Sequence, residues 1–366
     1  MKNTFGQSLA VTLFGESHGE EIGAVLDGIA PGIPVNEDKI RRALSLRRPS
    51  GALSTARVEA DDCRFVSGVF RGKTTGTPLT ILIKNENKHS ADYENGGERI
   101  ARPSHADYTA HIKYHGYEDY RGGGHFSDRL TAPLVALGAI VADALEKKGI
   151  KIGTHIAALG GVSDRAFRHL EDDVLTLKDM SFPVLSPEAA EGMQNAILAA
   201  KSEGDSVGGI LESVVLGMPA GVGEPFFDSV ESTLSHMLFS IPAVKGVFFG
   251  AGFGFADMRG SEANDAFRNE NGEIRTVTNH NGGVLGGITS GMPLIFRTAV
   301  KPTPSIYKEQ DSVSLSTGEN AKMTVKGRHD PCIVHRAAAV VNACTALALG
   351  DLLALRFGTD YLSNDN

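Results

Sequence analysis

The residues best equipped for chemistry in this 366-residue chain are bunched in short loops rather than scattered. They lie in GESHG (Gly15 to Gly19), LRRPSGALSTAR (Leu46 to Arg57), RPSHADY (Arg102 to Tyr108) and DYRGGGHFSDR (Asp119 to Arg129). Further along come NHNGGVLGG (Asn279 to Gly287), KPTPSIY (Lys301 to Tyr307) and KGRHDP (Lys326 to Pro331). Ser17 and His18 are adjacent, and neighbours on an extended segment face opposite ways, so a nucleophile with its base is not the reading. Gly15 and Gly19 let a ligand approach the backbone, with Ser17 and His18 serving two different parts of it. His105 supplies a second imidazole. The loop around Ser127 combines three glycines, a helix start and Arg129, which together make an anion site. Arg328 and His329 repeat that logic before Asp330 and Pro331, where Asp330 reads either as a helix cap or as a working carboxylate. Lys301 and Ser305, in a proline-stiffened loop, suit a phosphate tail. A metal site is not expected: His18, His105, His280 and His329 show no ligand spacing, and nearby arginines repel cations.

Composition narrows the classes. A net charge of -8 argues against a nucleic-acid partner, whose phosphates demand surplus Lys and Arg. No uninterrupted run of roughly 20 apolar residues suggests a membrane partner, and the N-terminus lacks a secretion-signal layout; the expectation is a cytoplasmic protein. Three cysteines without CxxC spacing give neither a disulfide framework nor a zinc cluster.

These loops need elements to hold them. Asn36 before Glu37 and Asp38 opens a helix with Ile40, Ala43 and Leu44 on one face, ending before Pro49. Ser186-Pro187-Glu188 starts a second that runs to about Ser202, and a third covers about Asp228 to Phe239. Two segments, about Thr131 to Lys148 and about Pro331 to Phe357, are apolar almost all round and belong in the centre. VLDGIAPG (Val25 to Gly32) recurs 189 residues on as VVLGMPAG, and GKTTGTPLTILI (Gly72 to Ile83) recurs 215 residues on as GITSGMPLIFRT. The order is kept, which suggests a duplicated strand-helix-strand-helix unit, chance similarity of glycine-rich turns being the plain alternative. The expected fold is α+β, a layered β-α-β sandwich with central helices between antiparallel sheets. The whole of residues 1–366 is read as one domain, with pseudo-repeats of about 1–150 and 205–357.

The loops as a set closely resemble chorismate synthase, from GESHG through SGVFRGKTTGTP, RPSHADY, DYRGGG, SEGDSVGG, NHNGGVLGGITSG and KPTPS to KGRHDPC. The resemblance implies trans-1,4 elimination of phosphate from 5-enolpyruvylshikimate 3-phosphate to give chorismate. It also implies a need for reduced FMN, which lends an electron as the bond from carbon 3 to oxygen breaks. By position, His18 matches the histidine serving the leaving phosphate and His105 the one that protonates the flavin. Ser17, Ser127 and Asp330 match a relay to the flavin. Arg47, Arg57, Arg129 and Arg328 match the substrate's anion partners, with NADP also implied at Arg47. The FMN positions carried over are His125, Phe126, Ser127, Ala243, Gly286, Lys301, Pro302, Thr303, Pro304, Ser305 and Arg328. The chain departs from the family where RGGGRSSARET becomes RGGGHFSDRLT, placing His125 for an arginine, Asp128 for a small residue and Leu130 for a glutamate. Pro242 is another departure. The changed loop leaves one alternative, a divergent flavin- or anion-binding paralogue without turnover. A homotetramer fed by an external flavin reductase is the implied assembly.

Overall fold

The computed structural model describes residues 3–49, 51–54, 60–86, 99–325 and 329–363. Two five-stranded antiparallel sheets sandwich a pair of central helices. In the first sheet, β1 (Thr4–Phe5), β2 (Ala10–Gly15), β3 (Glu21–Asp27), β4 (Cys63–Ser67) and β5 (Leu79–Lys84) run in the order β1-β2-β3-β5-β4. In the second, β6 (Lys151–Leu159), β7 (Val162–Ser163), β8 (Gly209–Leu216), β9 (Val244–Phe249) and β10 (Leu294–Val300) run in the order β9-β10-β8-β6-β7. Leu79, Ile81 and Ile83 alternate along β5 and are fully buried, as period-2 geometry demands of a strand with one face on the core.

The α-helices of seven residues or more are α1 (Glu37–Arg47), α2 (Asp107–Lys113), α3 (Thr131–Lys147), α4 (Leu170–Leu177), α5 (Pro187–Ser202), α6 (Val230–Phe239) and α7 (Val334–Phe357). Asn36 caps α1 by accepting from the backbone N–H groups of Asp38 and Lys39. Ser229 caps α6 by accepting from the Ser232 N–H. The start of α7 differs from expectation. It begins at Val334, three residues beyond Pro331, so Asp330 is not its cap, and its carboxylate accepts instead from Arg336 Nη2 at 2.6 Å.

The first sheet packs on α3 and the second on α7, while the two helices pack on each other. By composition α7 is long and apolar enough to cross a bilayer, yet 83% of its apolar window is buried inside the protein. It has no polar stripe because it meets protein on nearly every side. The helices approach closely at Gly138, where a Cβ would lie 2.5 Å from Ala343 Cβ and 2.6 Å from its carbonyl oxygen. At the N-terminal side, the Asp351 carboxylate of α7 accepts the backbone N–H groups of Gln7, Ser8 and Leu9, tying the approach to β2 into the centre.

The quoted sequence pairs share their local geometry. Leu26 faces Leu79 across β3 and β5, and Val215 faces Leu294 across β8 and β10. Thr74 Oγ1 accepts from the Ile33 N–H and donates to the Ala30 carbonyl; Thr289 Oγ1 does the same with Val222 and Pro219. Each threonine clamps the turn that leads out of a central strand.

Gly138→Val puts two branches into that helix contact, where the clash is with backbone that cannot rotate away. It should cost about 3 kcal/mol and lower the melting temperature seen by circular dichroism. Gly254→Ala, where nothing lies within 4 Å, should leave the melting temperature nearly unchanged.

Candidate active site

A cavity of about 790 Å³ opens where the C-terminal ends of α1 and α6 meet the segments leading into α3 and α7. Its wall is built around the glycine loop. Gly122, Gly123 and Gly124 have φ of +58°, +87° and +54°, which side chains rarely adopt. A Cβ on Gly122 would lie 2.7 Å from His18 Nε2 and 2.9 Å from Ser17 Oγ. One on Gly123 would lie 3.4 Å from His105 Nε2 and 3.7 Å from Ser127 Cβ. Consecutive glycines therefore carry one histidine-serine set each.

Ser17 and His18 do not lie on an extended segment. They sit in a turn closed by the Gly19 N–H on the Glu16 carbonyl at 3.0 Å, which brings both side chains to Gly122. They still form no nucleophile-base pair, because Ser17 Oγ is buried with no hydrogen-bond partner. His105 Nδ1 lies 2.8 Å from Asp107 Oδ1. Burial alone would raise the Asp107 pKa, but hydrogen bonds from Arg102 and His105 outweigh it and hold the carboxyl well below the usual range. Asp107 is thus anionic, and Nδ1 must donate to it, leaving His105 Nε2 on the glycine loop.

Charge on the wall is organised by Asp61, whose side chain has no solvent exposure. Arg129 Nη1 donates to Asp61, while its Nε and Nη2 donate to Asn85 Oδ1 and the Lys84 carbonyl, each at 3.0 Å. Arg47 Nε donates to Thr131 Oγ1 at 2.9 Å, and its Nη1 lies 3.5 Å from Asp61. Burial lowers the Arg47 pKa, opposed by Asp61 and Asp128. Lys301 Nζ donates to the Ser104 carbonyl and lies 3.2 Å from Ser104 Oγ. Burial and the neighbouring Lys245 lower its pKa. His125 Nδ1 bonds the Gly15 carbonyl at 2.8 Å, and Phe126 meets Tyr114 edge-on.

The cavity collects His18, His105, Ser127 and Asp330 together with Arg47 and Arg129. It also collects His125, Phe126, Ala243, Lys301, Thr303, Pro304 and Ser305. Ser17 and Pro302 are not on its surface; Ser17 lies behind it, against Gly122. Gly286 is not on the cavity surface either: it lies in the tight turn between Val284–Leu285 and Ile288–Thr289, where φ is +60° at Gly286 and +87° at Gly287. Arg129 and Arg47 differ from expectation in another way. Their guanidinium groups are engaged within the protein, so the NADP contact expected at Arg47 meets a buried, partnered side chain. Arg57 and Arg328 lie outside the described residues.

Basic cavity residues to which the sequence reading gives no role include Arg48, His236, Lys245 and Arg336. Arg336 is the most informative. It is 6% exposed, its Nη2 lies 2.6 Å from Asp330 and 3.7 Å from Asp128, and its Nε is buried without a partner. A lone arginine in the first turn of an otherwise apolar helix was the available signal.

A family model described as chorismate synthase matches residues 9–354. A chorismate synthase of Korarchaeum cryptofilum is 47% identical over 350 residues, covering 95% of this chain and 96% of its own length. One of Chitinophaga pinensis is 48% identical over 354 residues, covering 96% and 97%. A crystal structure of chorismate synthase superposes with a TM-score of 0.75 at 29% identity, covering 97% of this chain and 94% of that one.

Asp61→Ala leaves two buried guanidinium groups without their carboxylate. It should destabilise the fold by roughly 3–5 kcal/mol, read as an earlier midpoint in denaturant unfolding, whereas an exposed control such as Asp38→Ala should shift the midpoint far less.

Proposed function

This chain belongs to the chorismate synthase family, and from that premise we propose how its cavity binds and works. The activity is that of a carbon-oxygen lyase producing chorismate. We read 5-enolpyruvylshikimate 3-phosphate and reduced FMN as joint occupants of the cavity. The observation that carries this is the glycine loop: one backbone segment holds His18 beside Ser17 and His105 beside Ser127, inside a cavity walled by arginine and lysine.

The residues fit a flavin. Arg336 Nε is buried at the cavity wall without a partner, and Lys301, Thr303, Pro304 and Ser305 form a polar, stiffened wall suited to the FMN phosphate. His125, Phe126 and Ala243 would border the same group, and Arg328 is carried over with them from the family resemblance. When bound, reduced FMN supplies the transient electron that the breaking carbon-oxygen bond needs. The protein supplies the rest. His18 serves the departing phosphate as proton donor, and His105, backed at Nδ1 by Asp107, exchanges a proton at Nε2. Ser127 shares Gly123 with His105, and Asp330, paired with Arg336, adds a carboxylate to the same cavity. Arg336 and Arg48 present positive charge to the substrate's anionic groups, a task also proposed for Arg57 and Arg328. Arg47 and Arg129 set the wall's charge from behind through Asp61. We assign NADP to the external reductase that delivers reduced FMN, since Arg47 is engaged internally.

We further propose a cytoplasmic homotetramer, for which exposed Phe226, Phe227 and Phe253 offer apolar surface. One domain with two repeats, about 1–150 and 205–357, is supported by the matching threonine clamps. Nothing in the changed loop favours a paralogue without turnover: Leu130 simply joins the apolar core, and His125 keeps a defined hydrogen bond.

Under anaerobic conditions with dithionite-reduced FMN and no added metal, the protein should form chorismate and phosphate in equal amounts. Flavin binding without product would overturn the reading. His105→Ala should lower kcat by roughly 10²–10⁴ with little change in KM; wild-type kcat would remove His105 from the mechanism.

A further inference from the structure

His105 borders a second space besides the main cavity. It is small, about 10 Å³, and is lined in part by Arg99, His105, Asp107, Glu118, Tyr120 and Gly123. That is about the room one water molecule needs, and water requires two or more polar partners. The lining provides them. The Glu118 side chain is 8% exposed; its Oε1 accepts from Arg99 Nη2 at 2.7 Å, while its Oε2 is buried with no hydrogen-bond partner. Arg99 in turn is held over the Tyr120 ring at 4.1 Å, so it cannot easily swing to serve the second oxygen. A buried carboxylate oxygen without a donor is costly, and a water in this space would supply the donor.

The opposite side of Glu118 leads outward. His111 Nδ1 lies 3.5 Å from Glu118 Oε1 and makes no hydrogen bond, while its side chain is 31% exposed. We propose that Glu118 is a positioning residue: its Oε2 holds one ordered water behind His105, and His111, Glu118 and that water form a proton-exchange route from solvent to His105.

The balance is simple. When His105 has given up its Nε2 proton, one proton enters at His111 from solvent and passes from Nδ1 to Glu118 Oε1; the neutral carboxyl turns about Cγ–Cδ and hands that proton to the water, which passes one of its own to His105 Nε2. Each carrier returns to its starting state, and the net event is transfer of one proton from solvent to His105. The charged groups facing this route are Arg99 on Glu118, Arg102 on Asp107, and Asp119 paired with Arg121 at 2.9 Å. They hold Asp107 and Asp119 anionic, and Arg99 and His111 likewise draw the Glu118 carboxyl below its ordinary range against the effect of burial, so Glu118 carries the proton only in passing between His111 and the water.

The route rests on the reading of His105 as a proton-exchanging group, and the test separates the two. Glu118→Gln keeps the side chain's size and an oxygen for Arg99 but cannot accept a proton. It should lower kcat roughly tenfold, a small part of what a general acid contributes, leave KM nearly unchanged and raise the solvent deuterium isotope effect on kcat. Glu118→Asp should recover part of the rate. A high-resolution crystal structure of the unsubstituted protein should show one water within hydrogen-bond distance of Glu118 Oε2, whether or not the variants fold. A dry space, or wild-type kcat and isotope effect in Glu118→Gln, would overturn the route. Wild-type kcat in His105→Ala would instead sink the reading of His105 while leaving the water site to the crystallographic result.

Discussion

One carboxylate without solvent contact, Asp61, underlies the arrangement of the cavity wall. It joins Arg47 at the end of α1 to Arg129 at the approach to α3, and Arg129 also grips Asn85 and Lys84 at the end of β5. Two guanidinium groups of like charge could not be brought this close in a low-dielectric interior without a counterion between them. The consequence is geometric as much as energetic. Helix α1, helix α3 and the first sheet are indexed to one another at the rim of the cavity, so the positive wall keeps its shape before any anion arrives. A protein with a net charge of -8 can in this way concentrate cations where anionic ligands must bind.

The glycine loop imposes the second constraint. Its three residues with positive φ pass so close to the imidazoles that a single methyl on Gly122 would overlap His18. His18 and His105 are held by neighbouring peptide units, which fixes their separation more tightly than two independent loops would. Preorganisation of this kind matters most for proton-handling groups, whose efficiency falls quickly with misplacement. Asp107 adds orientation on one side by fixing the His105 tautomer.

Much of this was legible in the residues. The Asn36 cap, the Pro187 start, the bounds of α3 and the recurring T-x-G-x-P-L strand all follow from local rules, and six of the seven chemistry-bearing loops, NHNGGVLGG excepted, contribute residues to one cavity. What escaped has a common physical origin: it depends on contacts between distant segments. Asp330 followed by proline looks like a cap, but α7 starts later and the carboxylate turns to Arg336 instead. Arg336 was hidden within an apolar helix, and nothing around Asp61 marks it as the partner of two arginines. Gly286 shared a motif with binding residues and lies in a hairpin turn off the cavity surface. Ser17 and His18 were assigned an extended backbone, whereas a turn places both on one glycine.

The order of the chain gives α7 a further significance. It is synthesised after every strand of both sheets, yet it forms half of the central layer and its Asp351 receives the backbone of residues 7–9. Until it emerges from the ribosome, the second sheet lacks the main helix on its inner face and the entry to the first sheet has no anchor. Chain growth therefore leaves a broad apolar seam open for most of translation, and closure comes as a late, concerted step. Shielding of the nascent chain, rather than stepwise folding of two halves, is what this architecture demands of the cell.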